Sequence, residues 1–366
     1  MYVKGLQLIN FRNYNNLLME FKQGVNVLVG DNAQGKTNIL ESIYYCSLAK
    51  SHRTNRDREL INWDYKNAYI SLSVGRERLD KKIDIKIFKE GKKGINVNSI
   101  KVNKIADLIG IFNVVMFSPE DLDIVKGSPA ARRRLLDIEL CKLSKKYYYN
   151  LSVYKKALGE RNSLLKGMRC DEGILEVYDT QLSSFGAYLI KERLKYIEKL
   201  NEYGKIIHSN ITSGNEEISF NYVSQIKNLQ NTENIEEALF YLLKSHRKSD
   251  MEKRNTSVGP HRDDFDIKIN DIDAREYGSQ GQQRTSVLTI KFASLDIIKS
   301  ITGEYPVLLL DDVLSELDIR RQKYILSSIK DIQTIITCTG MHNIQEYLGE
   351  DSLVYEVKSG SIERIR

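Results

Sequence analysis

The segment Gly30-Asp-Asn-Ala-Gln-Gly-Lys-Thr37 constrains this chain more than any other. It has the spacing G-x-x-x-x-G-K-[ST] and stands between an apolar run, Val25 to Val29, and an apolar helix pattern, Ile39 to Leu48. A strand feeding a glycine turn that opens a helix is the framework such a loop needs. Gly30 and Gly35 let backbone N–H groups converge on phosphate oxygens. Asp31, Asn32, Ala33 and Gln34 complete the loop, and the helix N-terminus behind it favours anions. Lys36 then reaches the β- and γ-phosphates of ATP, and the Thr37 hydroxyl ligates Mg²⁺. A chance glycine turn is the bland alternative; the strand and the helix on either side weigh against it.

The length of 366 residues allows about two domains. With 41% hydrophobic and 28% charged residues a packed core is within reach, and wholesale disorder is not expected. Cys46, Cys141, Cys170 and Cys338 lie far apart, which speaks against a disulfide framework or a zinc site. The start, Met1-Tyr-Val-Lys-Gly5, lacks a signal-peptide core, and the aliphatic run Val307 to Leu310 is too short to span a bilayer. The expectation is a cytoplasmic protein with no membrane partner. Lysine and arginine outnumber aspartate and glutamate by only 55 to 49, but the excess is concentrated. Lys126 to Lys166 holds eleven basic and three acidic residues, and Arg76 to Lys104 holds ten against four. Two such blocks suit a polyanion.

The middle of the chain changes character at Gly127-Ser-Pro-Ala130. Ser128 can cap a helix that begins at Pro129, and apolar residues then recur by threes and fours to Leu165. After a polar turn, Leu175 to Ile207 repeats the pattern. Two helices of almost forty residues, each about 55–60 Å long, would pair as an antiparallel hairpin. A strand (Ile218 to Val223) and a helix capped by Asn234, with Glu237 completing the box, follow before α/β character resumes near Thr256. The expected organisation is a head built from residues 1–125 and 255–366, with an inserted helical arm over 126–254.

Two further motifs carry chemistry. Tyr305-Pro-Val-Leu-Leu-Leu-Asp311-Asp312 is a buried strand that ends in paired carboxylates. In a phosphate-loop enzyme Asp311 would hold the Mg²⁺ shell, and Asp312 would orient the attacking water. Ser279-Gln280-Gly281-Gln282 opens an apolar helix and makes a second phosphate-shaped nest, although alone it would pass for an ordinary helix cap. The order of phosphate loop, long insertion, Ser-Gln-Gly-Gln, acidic strand and Ser315-Glu-Leu-Asp318 is that of ABC-type ATPase heads.

Several segments make the resemblance more specific: Leu8-Ile-Asn-Phe-Arg-Asn-Tyr14, Asn38 after Thr37, Phe117-Ser-Pro-Glu-Asp121, Gly127-Ser-Pro with Arg132-Arg-Arg134, Gly259-Pro-His-Arg-Asp-Asp264 and Gly278-Ser-Gln-Gly-Gln-Gln-Arg-Thr285. With them the chain resembles the RecF family, in the SMC-like branch of ABC ATPases. The resemblance implies an α/β phosphate-loop ABC-type head with a mixed sheet and an inserted helix-hairpin arm. It also implies ATP-dependent homodimers on gapped, single- or double-stranded DNA, and work with RecR and RecO to bring RecA to single-strand gaps. In such dimers Ser279 and its neighbours would cap the γ-phosphate held by Lys36 of the other copy.

Some residues depart from the wider ABC pattern. The usual catalytic glutamate is replaced by the shorter Asp312, and no glutamine occurs from Gly35 to Thr180 to serve as a Q-loop residue. Glu120 and Glu316 are the alternative carboxylates, and His342 stands near the place of a switch histidine. His261 lies inside a family motif with no role derivable from sequence. For DNA, Arg132, Arg133 and Arg134 are the candidates: cations in a first helical turn oppose the dipole, so local stability does not explain them. A solvated face is the alternative for the lysines that follow, Lys142 to Lys156. A transporter-type subunit would need a short insertion with a Q-loop glutamine. A structural SMC-like clamp would need a far longer coiled coil.

Overall fold

The computed structural model describes residues 1–77, 79–167, 171–227, 229, 234–340, 345, 348–349 and 352–366. It divides into two units, one of residues Met1–Asp121 with Lys291–Arg366 and one of Leu122–Ile290. In the first, alternating apolar residues build β1 (Tyr2–Phe11) and β2 (Tyr14–Glu20), and the short apolar run builds β3 (Val25–Val29), which leads into α1 (Lys36–Leu48). β4 (Asn67–Gly75), β5 (Lys81–Phe88), β6 (Lys93–Val97), β7 (Ile100–Lys101) and β8 (Val114–Phe117) follow.

The inserted unit contains α2 (Asp123–Lys126), α3 (Pro129–Leu143), α4 (Lys145–Leu165), α5 (Glu172–Thr212), β9 (Ile218–Val223), α6 (Ile235–Lys253), β10 (Asp264–Ile269) and β11 (Ile272–Asp273). The division falls within α7 (Gln280–Thr302). The first unit then closes with β12 (Val307–Asp311), α8 (Ile319–Ser328), β13 (Thr334–Cys338), β14 (Leu353–Lys358) and β15 (Ser361–Arg364).

The first unit has two six-stranded sheets. One is antiparallel, in the order β2-β1-β4-β5-β6-β7, and the other runs β15-β14-β3-β13-β12-β8, parallel except for the closing hairpin. β8, β12 and β13 are buried at every residue, as expected of strands covered on both faces. Ile39, Leu40 and Ile43 of α1 share one core with residues of both sheets, among them Leu6, Ile70, Leu309 and Ile335. Because β3 and β12 both flank β13 in parallel, the phosphate loop and the acidic strand end open on the same edge of the sheet.

The inserted unit corrects three expectations. The first arm helix is broken: Ser144 is extended (φ −142°, ψ 113°), and its hydroxyl accepts from the Tyr147 N–H, so α3 ends and α4 begins there. The second runs unbroken for 41 residues, from an Asp171 cap to Ser213 in the left-handed region. Residues 255–290 belong with this unit and not with the head, because β10 pairs antiparallel with β9 along its whole length. α6 begins after Asn234 as expected, yet neither Asn234 nor Ser128 makes the side-chain cap bond. None of the described helices is long and apolar enough to cross a membrane.

Candidate functional site

β3 delivers the chain into the phosphate loop, and the two glycines are there for different reasons. A Cβ at Gly30 would lie 2.4 Å from the backbone oxygen of Val357 on β14, so no side chain fits. Gly35 has φ +119°, and a Cβ there would meet the Asn13 amide at 2.6 Å and the Tyr14 hydroxyl at 2.7 Å. The loop is braced from outside. Asn13 Nδ2 donates to the Gln34 carbonyl (3.0 Å), and Gln34 Oε1 accepts from the Ser359 N–H (2.6 Å). Gln34 therefore shapes the loop, while Asp31, Asn32 and Ala33 are exposed.

The chemistry sits one turn further on. Lys36 is buried, and its ammonium donates to the carbonyls of Gly30 (2.5 Å) and Asp31 (2.7 Å). An ammonium has three N–H donors, so one remains for a phosphate oxygen. Asp311, 7% exposed, accepts at one oxygen from the hydroxyls of Thr37 (2.9 Å) and Thr337 (2.8 Å). Burial pushes the Asp311 carboxyl above its ordinary range; the two hydroxyls and the Arg53 charge counter this, while Glu120 adds to it. A hard hydroxyl and a hard carboxylate within 2.9 Å of each other form a donor pair that fits Mg²⁺.

Asp312 has φ +53°, in the left-handed region. Its N–H donates to Thr337 Oγ1 (2.9 Å), and its carbonyl accepts from the Ser315 hydroxyl (2.7 Å). Among non-glycine residues, aspartate and asparagine enter this region most readily, which gives a backbone reason for the shorter acid here. Such a conformation is retained where the surroundings over-determine it, typically at a site of chemistry.

A cluster beside the loop escaped the sequence reading. Glu41, fully buried on α1, accepts from Arg12 Nε (2.9 Å) and NH2 (2.8 Å) and from the Ser51 hydroxyl (2.5 Å). Burial alone would raise the Glu41 pKa, but Arg12, Ser51 and Arg53 together hold it below the usual range. Arg53 also donates to Asn38 Oδ1 (3.1 Å), next to Thr37. The available signal was a lone glutamate in the apolar stretch Ile39-Leu-Glu-Ser-Ile43, which a buried helix tolerates only when paired. His52 stacks edge-on against Tyr44, and burial holds its imidazole down at about 4.

Ser279 lies in the inserted unit, immediately before α7, and is exposed, as is Gln280. Ser279 Oγ accepts from the Gln282 N–H (3.2 Å), and Gln282 Oε1 accepts from the Ser279 N–H (2.8 Å). The two residues thus form a reciprocal capping box that leaves Gly281 in the first turn.

The arginine cluster is corrected in part. Arg132 is buried, and its guanidinium binds Asp264 through two bonds, Nε to Oδ1 (2.8 Å) and NH2 to Oδ2 (2.7 Å), while also capping the Gly127 carbonyl (3.2 Å). That geometry ties α3 to β10 and removes Arg132 from a DNA surface. Half-buried Arg133 donates to the Asp263 carbonyl (2.8 Å); Arg134 is exposed. Lys142 is buried against Glu139 (2.8 Å). His261 also belongs to the architecture: its Nδ1 accepts from the Tyr154 hydroxyl (2.7 Å), and its Nε2 donates to the Thr256 carbonyl (3.2 Å). Burial lowers its pKa to about 4. Glu120 is exposed. His342 and the Glu316 side chain lie outside the described residues.

Comparison with known proteins shows which family the chain belongs to. The RecF/RecN/SMC N terminal domain profile matches residues 2–360. The DNA replication and repair protein RecF of Clostridium perfringens (strain 13 / Type A) is 61% identical over 363 residues, 99% of this chain and 100% of that protein. Its counterpart in Clostridium acetobutylicum is 62% identical, with 99% of each chain covered. The solved structure of the recombination mediator protein RecF-ATP in the RecFOR pathway is similar with a TM-score of 0.91 and 38% identity, covering 100% of this chain and 99% of that one. A family profile matched over residues 2–360 and relatives 61% and 62% identical along their whole length make this chain a member of the RecF family of DNA replication and repair proteins.

Proposed function

We propose that the chain is a weak, DNA-stimulated ATPase whose nucleotide state governs dimerisation on DNA, and that it works with RecR and RecO to help load RecA at single-strand gaps. The observation that carries this reading is the pairing of buried Lys36 with the Thr37–Asp311 contact of 2.9 Å at one sheet edge. Lys36 and the N–H groups of the loop would hold the β- and γ-phosphates, and Thr37 and Asp311 would hold Mg²⁺. When bound, Mg²⁺ neutralises charge on the phosphates. Asp312, fixed by Thr337 and Ser315, would orient the attacking water.

Ser279, Gln280, Gly281 and Gln282 would face the γ-phosphate bound by a second copy, since the phosphate loop of one copy leaves that phosphate uncovered. On DNA, Arg134 and the exposed lysines Lys145, Lys155 and Lys156 take over the role first read for all three arginines. The protein would act in the cytoplasm. Sizing with and without ATP, followed by ATP turnover with and without gapped duplex, tests the reading. Nucleotide-dependent dimers and faster turnover on DNA are expected; a monomer under all conditions, with turnover indifferent to DNA, would contradict it.

A further inference from the structure

The hydrogen bonds of Gln282 do not end at the capping box. Its Nε2 donates to Glu216 Oε1 (2.9 Å), and the second Glu216 oxygen lies 3.3 Å from Nε2 of the fully buried His208. His208 Nδ1 is in turn 2.9 Å from the Thr289 hydroxyl on α7. Glu216 stands in the turn between the end of α5 and the start of β9, and His208 is in the last turn of α5. His208 of the 41-residue arm helix is therefore bonded to Thr289 on α7, and the turn that follows the helix is bonded to Gln282 in the first turn of α7.

This arrangement fixes an amide that could otherwise flip. The Ser279 N–H needs an acceptor and the Glu216 carboxylate needs a donor, and only one orientation of the Gln282 amide supplies both. With Gln282 held, the Ser279 hydroxyl and the Gly281 backbone keep one geometry; without Glu216 the amide has no reason to prefer it. We infer that Glu216 is a positioning residue for the serine-glutamine segment, setting Ser279 for the γ-phosphate on a second copy and linking that segment to the arm helix through His208. The inference rests on the proposed trans capping by Ser279.

The test measures the ATP concentration needed for half-maximal dimerisation, together with ATP affinity of the monomer and the thermal midpoint. Glu216→Ala should raise that concentration about tenfold, the scale of losing one charge-assisted hydrogen bond, while monomer ATP affinity stays unchanged. Glu216→Gln keeps an acceptor opposite the Gln282 amide and should dimerise within about threefold of the starting protein. Glu216→Ala dimers at the original ATP concentration, or a folded Glu216→Gln no better than Glu216→Ala, would overturn the inference. Ser279→Arg run alongside separates the two readings. If it blocks dimers while Glu216→Ala does not, only the positioning role falls. If Ser279→Arg dimerises normally, the trans capping falls with it.

Discussion

The helices of the inserted unit and the phosphate loop of the head treat buried charge in opposite ways. In the inserted unit the deeply buried arginines Arg132, Arg161 and Arg193 each face carboxylates. Arg161, with no exposed surface, binds Asp179 (2.7 Å) and Asp250 (2.8 Å), and Arg247 closes on Asp179 (2.6 Å). Arg193 binds Asp137 (2.8 Å), whose carboxyl burial would raise but Arg193 and Lys155 hold below the usual range. Arg132 binds Asp264. In the head, Arg12 cancels buried Glu41 in the same way, but Lys36 and Asp311 at the loop itself are buried with only neutral carbonyls and hydroxyls as hydrogen-bond partners. A desolvated charge with only neutral partners is costly unless a ligand supplies the opposite charge. On the proposed function the difference separates architecture from chemistry: cancelled charges hold helices together, and uncancelled ones would be met by phosphate and metal.

The largest effect should follow from breaking a cancelled set. Arg161→Ala leaves Asp250 buried without its cation and should destabilise the fold by about 3–5 kcal/mol, read as a lowered urea midpoint. A shift below 1 kcal/mol would mean that these pairs contribute nothing that water could not replace. Next comes the chemistry. Asp312→Asn should keep ATP affinity and lose turnover by about 10²-fold, with little change in stability, whereas Asp311→Ala should weaken the Mg²⁺-dependent binding step. Equal and small effects from both would move the catalytic carboxylate elsewhere, to Glu120 first.

The arginine cluster sharpens the comparison at smaller magnitude. Arg132→Glu should lower stability by setting a carboxylate against Asp264, an effect that DNA does not change. Arg134→Glu should leave the thermal midpoint within about a degree and reduce the salt slope of duplex binding by roughly 0.9, one phosphate contact. The reverse assignment, with Arg132 affecting only DNA and Arg134 only stability, would contradict the burial seen here.

Much of the head was legible in sequence because each piece of its candidate site carries a local signal. Gly30 to Thr37 carries its own spacing, and the run Val307 to Asp311 announces a buried strand with acids at its end. The arm was legible in outline, since α5 follows the 3-4 apolar period without interruption. What sequence did not yield depends on partners distant along the chain. β10 joins the arm through β9, more than forty residues earlier, so residues 255–290 read as head. Arg132 reads as a free cation until Asp264 is placed beside it. Ser144 was hidden for a different reason: a serine inside a continuing apolar period looks like a tolerated helix residue, and only its extended backbone reveals a cap. Glu216 carried no motif at all, because its role lies in orienting another side chain.

Thermal unfolding of Lys36→Met, with and without MgATP, tests the central distinction most directly. Replacing an uncancelled buried cation by an apolar side chain of similar length should leave the midpoint without nucleotide at or above that of the unaltered protein. It should also abolish the upward shift that MgATP gives by binding the folded state. A midpoint several degrees lower without nucleotide, as expected for Arg161→Ala, would contradict the account, and so would a MgATP shift that survives the substitution.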